Sequence, residues 1–230
     1  GPTYRSTTRT VNDIFSEQLP VSAQLGGLAL LIAIGIGIPA GVIAALKQNT
    51  MTDYTVMFVA ILGLSIPNLA LGPFLMWIFG LKLEWLPVAT WGTFAHMILP
   101  AVTLGTGYSA FIARLTRASM LQVIREDYIR TARAKGLSES VIMMRHALKN
   151  GLIPVATVIG PLFAVLITGT VIVEQIFAVP GIGRYFVTSI GNRDYPVIMG
   201  TTLLFGVAIV IANLLVDLTY AFLDPRIRLK

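Results

Sequence analysis

The segment YIRTARAKGLSESVIMMRHALKNGLIP, residues 128–154, is a compact cationic insert between the third and fourth long apolar stretches of this chain. Its apolar residues recur at helical spacing in two short stretches that meet at Gly136. Gly136 suits the left-handed position that ends a helix, with Lys135 favourable in the last turn, and Ser138 can cap a second helix with Glu139 in its first turn. We therefore expect two short amphipathic helices joined at Gly136. The predicted apolar stripes are Ile124, Tyr128 and Ala132 on the first helix, and Val141, Met144 and Leu148 on the second.

The rest of the chain has the composition of a membrane protein. Of its 230 residues 55% are hydrophobic and only 12% are charged, and its mean hydropathy is +0.78. Soluble domains carry about twice that charged fraction. Five runs lack charged residues, and each exceeds the roughly 20 residues that cross a bilayer, so we predict an all-α polytopic membrane helix bundle with five transmembrane helices. The runs are residues 18–46, 54–81, 85–113, 150–173 and 195–216, the third of which opens with an interfacial segment and crosses from residue 97 to residue 121.

The distribution of Lys and Arg predicts the orientation, because these residues favour the cytoplasmic side in short loops. With the insert on that side, 12 of the 17 Lys and Arg residues are cytoplasmic. The N-terminus is then external and the C-terminus cytoplasmic, which implies one more crossing before Gly1. We expect an external segment at residues 1–19 with a short surface helix from Thr10 to Leu19, and a transmembrane domain at residues 20–230 that carries a cytoplasmic loop at residues 122–150. The net charge of +6 follows from this bias without a nucleic-acid partner.

Several kinds of site are excluded by the residues themselves. The chain has no cysteine, and its two histidines, His96 and His146, lie fifty residues apart on opposite sides of the predicted bundle, which leaves no thiolate or histidine metal site. No catalytic triad or carboxylate pair stands out, and no phosphate-binding G-x-x-x-x-G-K-[ST] loop occurs. No span has a charge at its centre, which disfavours proton or ion coupling. Energy for any transport is therefore expected from a partner, and the insert presents a surface for one unless it is an ordinary basic loop lying on lipid headgroups.

Small residues and prolines interrupt the predicted spans. The glycine-rich stretch GIGIPAG at residues 35–41 lies within an apolar helix, so Gly37 and Gly41 indicate close helix packing and not a dinucleotide site. Pro39 and Pro67 are expected to kink their helices.

Four residues are candidates for lining a path through the membrane. Three of them either line such a path or take part in helix packing, namely Ser65, Pro67 and Asn68. Asn213 either lines a polar path or makes hydrogen bonds between helices.

The insert resembles a known family. TARAKG at residues 131–136 and HALKN at residues 146–150, followed by Ile153 and Pro154, are similar to the cytoplasmic loop of permease subunits in ATP-binding cassette importers, in the branch that imports dipeptides, oligopeptides and nickel. The resemblance extends over nearly the whole chain. It includes GLSIPN at 63–68, LPAVTLG at 99–105, PGIGRYF at 180–186, NRDYPV at 192–197 and LDPRIR at 223–228.

The loop departs from the general pattern of such permeases, which reads Glu-Ala-Ala, three residues, Gly, nine residues, Ile, one residue, Leu-Pro. Here Arg130 stands in place of the Glu, and the late Pro is missing. Docking is therefore expected to rest on Gly136 and its apolar flanks more than on a carboxylate. The resemblance implies that the ATPase subunits contact Arg130, Thr131, Ala132, Arg133, Ala134, Lys135, Gly136, Leu137 and His146.

The resemblance also implies a mechanism and a set of partners. An external solute-binding protein delivers a peptide to the outer face, and cytoplasmic ATP-binding subunits, which hold ATP and Mg, rock the helices between outward-facing and inward-facing states. A second, homologous permease completes the path. The chain itself is then no enzyme, binds no cofactor, and lies as a multi-pass protein in the inner membrane of a prokaryote. The residues expected in an external scoop at 178–196 are Pro180, Gly181, Gly183, Arg193 and Asp194, of which Pro180 and the two glycines alternatively only shape a re-entrant turn.

Two other classes of function remain open. An ion-conducting channel predicts polar residues that repeat along several helices, which these runs lack, whereas a membrane-anchor subunit does not need proline-kinked spans. Within the transporter interpretation, a nickel chelate, an opine or a glycoside is an alternative cargo to a dipeptide or oligopeptide.

Overall fold

The computed structural model of the chain describes residues 3–4, 9–167 and 171–223, with side chains in the last helix described at residues 195–211, 213 and 214. Every regular element in this part of the chain is a helix, so the predicted all-α class is confirmed. The helices are α1 (Val11–Leu46), α2 (Met51–Ser65), α3 (Asn68–Leu75), α4 (Phe94–Val123), α5 (Asp127–Ala134), α6 (Glu139–Val141), α7 (Leu148–Gly151), α8 (Ile153–Ile167), α9 (Val171–Ile176), α10 (Ile182–Asn192) and α11 (Tyr195–Leu223), with π-helical turns at Met76–Lys82 and Ile142–Ala147.

Each of the five predicted spans coincides with a helix or a group of helices. α1, α4 and the stretch Ile153–Ile176 are each long and apolar enough to cross a membrane. The pair Met51–Ser65 and Asn68–Lys82 passes the same test together and is sharply bent at the break between them, as in a broken span or a re-entrant loop. The fifth is α11, whose part at Tyr195–Ile211 is apolar.

The first helix differs from the prediction. The prediction of a separate surface helix from Thr10 to Leu19, with Pro20 beginning the first span, is wrong, because α1 continues without a break from Val11 to Leu46. Its start is fixed by a reciprocal cap, in which the Thr10 amide donates to Asp13 Oδ2 at 2.8 Å and the Asp13 amide donates to Thr10 Oγ1 at 3.3 Å. Packing then holds the first turns in place, since Val11 and Ile14 are buried in a cluster with Ile182 and Val197. The assignment of residues 1–19 to an external segment stays a prediction.

The two prolines singled out in the sequence behave differently. Pro67 lies at the break between α2 and α3. It is the N-cap of α3 and has an extended backbone conformation (φ −62°, ψ 141°). Its carbonyl accepts the amides of Ala70 and Leu71 at 2.9 Å, which starts the next helix. Pro39 lies within α1, which remains one continuous helix around it.

The chain divides into two compact units, Gly1–Leu31 with Ile66–Gly105 and Gly160–Lys230, and Ile32–Ser65 with Thr106–Ile159. In the second unit, α1 packs closely on α4 at the predicted small residues. A Cβ atom at Gly37 would lie 2.7 Å from the Ser109 carbonyl oxygen, and one at Gly41 would lie 2.5 Å from the Ala113 carbonyl oxygen. The glycines are therefore needed for close packing, as predicted.

The first unit uses glycines in the same way. A Cβ atom at Gly26 of α1 would lie 2.6 Å from the Leu166 carbonyl oxygen of α8. At Gly72 of α3 it would lie 3.2 Å from the side chain of Ile176 in α9. These contacts fix α8 and α9 next to α1 and α3, and so place the connection that leads into α10.

Substitution of Gly41 tests the packing of α1 on α4. Gly41→Ala is expected to lower the free energy of unfolding by about 1–3 kcal/mol, because the new methyl group meets main-chain oxygen that has little room to move. Gly35→Ala is the matched control, since it lies on the same helix and a Cβ there meets nothing within 4 Å. Unfolding of the purified protein by SDS in mixed micelles measures both, and equal effects of the two substitutions would contradict the packing role.

Candidate functional site

The cytoplasmic-loop candidate at residues 122–150 turns at Gly136, as predicted. Gly136 has φ +75°, in the left-handed region that favours glycine. Its amide donates to the Arg133 carbonyl at 2.9 Å, and the Leu137 amide donates to the Ala132 carbonyl at 3.4 Å. These are the two hydrogen bonds of a Schellman motif. The turn that joins α5 to the second helical stretch is therefore set by the backbone.

The second helical stretch has a different inner face from the one predicted. Ile142 and Ala147 are fully buried, whereas Val141 is 37% and Met144 is 66% exposed. The cause is the π-helical turn Ile142–Ala147, whose wider turn brings residues five apart onto one face and shifts the stripe away from its 3.6-residue pattern. Ser138 occupies the N-cap position in extended conformation, but its side chain makes no capping hydrogen bond.

The first helix of the loop is also rotated relative to the prediction. Ala132 is buried and Ile124 is partly buried, as expected, but Ile129 is the residue buried beside them and Tyr128 is largely exposed. Asn150 donates from Nδ2 to the Tyr128 hydroxyl at 2.8 Å, which ties the first helix to the end of the second. The loop thus rests on a buried core formed by Ala45, Met120, Ile129, Ala132, Ile142 and Ala147.

Two ion pairs form between charged residues of the loop. Arg133 donates from Nε to Glu139 Oε1 at 2.7 Å and from Nη2 to Glu139 Oε2 at 3.2 Å, which closes the turn around Gly136. This hydrogen bonding lowers the pKa of the Glu139 carboxyl and raises the pKa of the Arg133 guanidinium. Arg130 lies 3.5 Å from Asp127 on the exposed side of α5. The other candidates Thr131, Ala134, Lys135 and Leu137 are exposed, and His146 is half-buried.

Exposed apolar side chains mark the outer surface of the loop. Leu137, in the connection after Gly136, and Val141 and Met144, in the second helical stretch, are exposed. Beside them a cleft of about 650 Å³ is lined by Met143, Met144 and other apolar and charged residues of the same unit. We call Tyr128, Leu137, Val141 and Met144 the docking surface. Apolar side chains exposed together with Arg130 and Lys135 are typical of a protein contact.

Three of the four candidates for a membrane path lie at the break between α2 and α3, and the fourth lies on α11. Ser65 ends α2 and donates from Oγ to the Ile61 carbonyl at 2.7 Å. Pro67 is exposed and Asn68, the first residue of α3, is half-buried. Asn213 is exposed on α11. Their part in a path stays a prediction.

The candidate external scoop contains a defined helix, α10. Gly181 is its N-cap and is buried, as is Gly183, whereas Pro180 is exposed. Arg193 ends the helix in the left-handed conformation with φ +57°. The buried Asp194 accepts the Tyr4 amide at Oδ1 at 3.3 Å. This geometry agrees with the shaping role of Pro180 and the glycines.

The burial of two carboxylates was not predicted from the sequence. Asp53 in α2 is only 1% exposed and accepts two hydrogen bonds from Arg117 of α4, Nε to Oδ1 at 2.7 Å and Nη2 to Oδ2 at 2.6 Å. Asp53 Oδ2 also accepts the Asn49 amide at 3.0 Å. Glu174 in α9 is fully buried against Ser22 of α1. Each is an isolated acidic residue at the edge of a charge-free run, which was the available signal.

Comparison with known proteins agrees with this architecture. Residues 37–229 match the model of the family described as binding-protein-dependent transport system inner membrane component. The chain belongs to this family of multi-pass inner-membrane permeases.

Particular relatives refine the assignment. The chain is 51% identical over 229 residues, 100% of its length and 74% of the relative's, to the dipeptide transport system permease protein DppB of Bacillus subtilis. It is 48% identical over 230 residues, 99% of its length and 75% of the relative's, to the oligopeptide transport system permease protein OppB of Salmonella typhimurium. A structure of the MetNI methionine ABC transporter in an inward-facing conformation has the same fold, with a TM-score of 0.77 at 16% identity over 93% of this chain and 97% of that one.

Removal of one partner tests the Asp53–Arg117 pair. Asp53→Asn is expected to lower the free energy of unfolding by about 2 kcal/mol, less than for a fully buried pair because Arg117 is partly exposed. Arg117→Gln should have a similar effect, and the double variant should cost less than the two together. Arg114→Gln, an exposed arginine on the same helix, is the control. SDS unfolding measures all four variants, and strict additivity would rule out the pair.

Substitution of Arg133 tests the bridge across Gly136. In Arg133→Gln the pKa of Glu139 is expected to rise toward its ordinary value, because the hydrogen bonds that lower it are lost. The stabilising contribution of the bridge is present at neutral pH and is lost as the pH falls through the lowered pKa of Glu139. Carboxyl-labelled glutamate NMR in detergent follows the titration. Arg130→Gln is the control and should leave Glu139 unchanged; an unshifted Glu139 in Arg133→Gln would refute the bridge.

Proposed function

We propose that this chain is the permease subunit that forms half of the translocation path for dipeptides or oligopeptides delivered by an external solute-binding protein. The names of its relatives, a dipeptide and an oligopeptide permease at 51% and 48% identity, support the cargo. A second, homologous permease supplies the other half of the path. Cytoplasmic ATP-binding subunits hold ATP and Mg and carry out the hydrolysis.

The observation that carries this proposal is the form of the loop at residues 122–150. It combines a backbone-fixed turn at Gly136, a buried core of its own and an exposed apolar docking surface. A loop with a packed core moves as a rigid body under an applied force, because its helices cannot move relative to one another without disrupting that packing. An ATPase that closes against the docking surface would therefore move α4 and α8, which flank the loop in the chain, together with it.

The hydrogen bonds of the loop revise the roles of its arginines. Arg133 is held by Glu139 within the chain, so its part is to brace the turn. Arg130 and Lys135 lie on the exposed side and remain the cations that would meet acidic groups of the ATPase. The buried Ala132 belongs to the core beneath the loop, while the exposed Ala134 permits close approach of the partner.

The orientation follows from the charge distribution, with 12 of the 17 Lys and Arg residues on the side of the loop. The docking loop and the C-terminus are then cytoplasmic. The segment at residues 178–196, with α10, is external and faces the solute-binding protein. Peptide enters from that side and leaves on the side of the ATPase subunits.

Substitution of Gly136 tests the coupling role with a graded pair of variants. No atom lies within 4 Å of a Cβ at Gly136, so a side chain there has room and acts through the backbone alone. Gly136→Val disfavours the left-handed turn strongly, whereas Gly136→Asn tolerates it. In the full transporter in proteoliposomes, Gly136→Val is expected to abolish peptide uptake and binding-protein stimulation of ATP hydrolysis, and Gly136→Asn to retain most of both. If Gly136→Val transports at the wild-type rate, the turn has no part in coupling.

A further inference from the structure

The helix α10 begins without a capping side chain of its own. Its N-cap is Gly181, and the first amides of a helix have no partner within it. The Ile182 amide donates instead to Ser22 Oγ at 2.9 Å, and the Arg184 amide donates to Glu174 Oε2 at 2.8 Å. Two other helices, α1 and α9, therefore provide the cap of α10.

Ser22 and Glu174 act as one hydrogen-bonded unit. The Ser22 hydroxyl donates to Glu174 Oε1 at 2.7 Å while it accepts the Ile182 amide. Both side chains are buried, and Glu174 has no exposed surface. A buried carboxylate is costly unless it is hydrogen-bonded, and the N-terminus of a helix is the place where a negative charge is favoured. The site thus provides both conditions that Glu174 needs.

Gly181 shows how closely this carboxylate fits. A Cβ atom at Gly181 would collide with the carboxyl group of Glu174. The backbone of Gly181, with φ −101° and ψ 171°, is open to any residue. Glycine is therefore required here by the space that Glu174 occupies, and not by the conformation of the chain.

The helix held in this way exposes apolar side chains. Val187 and Ile190 of α10 are exposed, while Ile182 and Ser189 are buried. Ile182 belongs to the same buried cluster as Val11 and Ile14 of α1. A loss of the cap would release the N-terminal end of α10 and would shift the direction in which Val187 and Ile190 point.

We propose that Glu174, through Ser22 and the first turn of α10, is the positioning residue that holds the segment at residues 178–196 in the orientation that the solute-binding protein recognises. This role rests on the proposed function, because it assumes that the segment meets the binding protein. Glu174 itself is buried and touches neither peptide nor partner. Its effect is therefore expected on the affinity for the binding protein, and not on the rate of ATP hydrolysis.

The test uses the full transporter in lipid nanodiscs, with ATP hydrolysis measured against the concentration of its peptide-loaded binding protein. Glu174→Gln keeps the size of the side chain but replaces one acceptor oxygen with a donor that faces amide N–H groups. Ser22→Ala removes the bridging hydroxyl. Glu84→Gln, an exposed glutamate in the same unit, is the matched control.

Glu174→Gln is expected to raise the binding-protein concentration for half-maximal stimulation about tenfold, the loss typical of a hydrogen bond to a charged group. Basal hydrolysis without binding protein should keep its wild-type rate in Glu174→Gln. Ser22→Ala should raise the half-maximal concentration less, and Glu84→Gln should leave it unchanged. Gly181→Ala should raise the half-maximal concentration as Glu174→Gln does. Adding Glu174→Asp to Gly181→Ala should partly reverse that rise, because the shorter side chain makes room for the new methyl group, so the effects of the two substitutions should not be additive.

A fall in basal hydrolysis with an unchanged half-maximal concentration in Glu174→Gln would overturn the proposal, since Glu174 would then support only the fold. If the wild-type transporter is not stimulated by any peptide-binding protein, the proposed function fails instead. In that case, hydrogen exchange at the amides of residues 182–184 still tests whether Glu174 caps the N-terminus of α10. Faster exchange in Glu174→Gln would show that Glu174 caps α10, although its role in recognition would fall with the proposed function, and unchanged exchange would remove the cap as well.

Discussion

In apolar surroundings a charged group or a backbone amide must find its partner within the protein, because neither lipid nor buried side chains can replace water. The helices meet this constraint for the backbone along each span. Asp53 meets it with Arg117 and the Asn49 amide, and Glu174 meets it with Ser22 and the first turn of α10. Each carboxylate ties elements that are far apart in the chain. Because a buried charge is costly without a partner, each carboxylate also holds in place the elements that supply its partners.

The two candidate functional segments are held by different means. The loop at residues 122–150 has an apolar core and a turn that depends on the left-handed backbone conformation of Gly136. The segment at residues 178–196 is held by polar contacts at the start of α10 and by the cluster around Ile182. A loop that receives force needs the stiffness of a packed core. A segment that is recognised from outside needs a defined orientation, which directed hydrogen bonds supply.

The sequence predicted the features that depend on local pattern. The spans follow from runs without charge, and the turn at Gly136 follows from a glycine at the end of an amphipathic stretch. The predicted inner face of the second loop helix was wrong at Val141 and Met144, because a π-helical turn breaks the 3.6-residue repeat on which the pattern rests. The partners of Asp53 and Glu174 were not predictable because they lie 64 and 152 residues away along the chain. Such pairing is decided by tertiary packing.

The proposed coupling requires that the ATP-binding subunits cover the docking surface of the loop. The 230 residues of this chain contain no cysteine, so Met144→Cys introduces the only thiol among them, at a side chain that is 66% exposed. Its rate of alkylation by a membrane-impermeant maleimide can be measured on the permease pair alone and on the assembled transporter. The rate should fall several-fold on assembly, whereas a cysteine at the exposed position Glu84, outside the loop, should react equally in both. An unchanged rate at residue 144 would show that the ATP-binding subunits do not cover the docking surface.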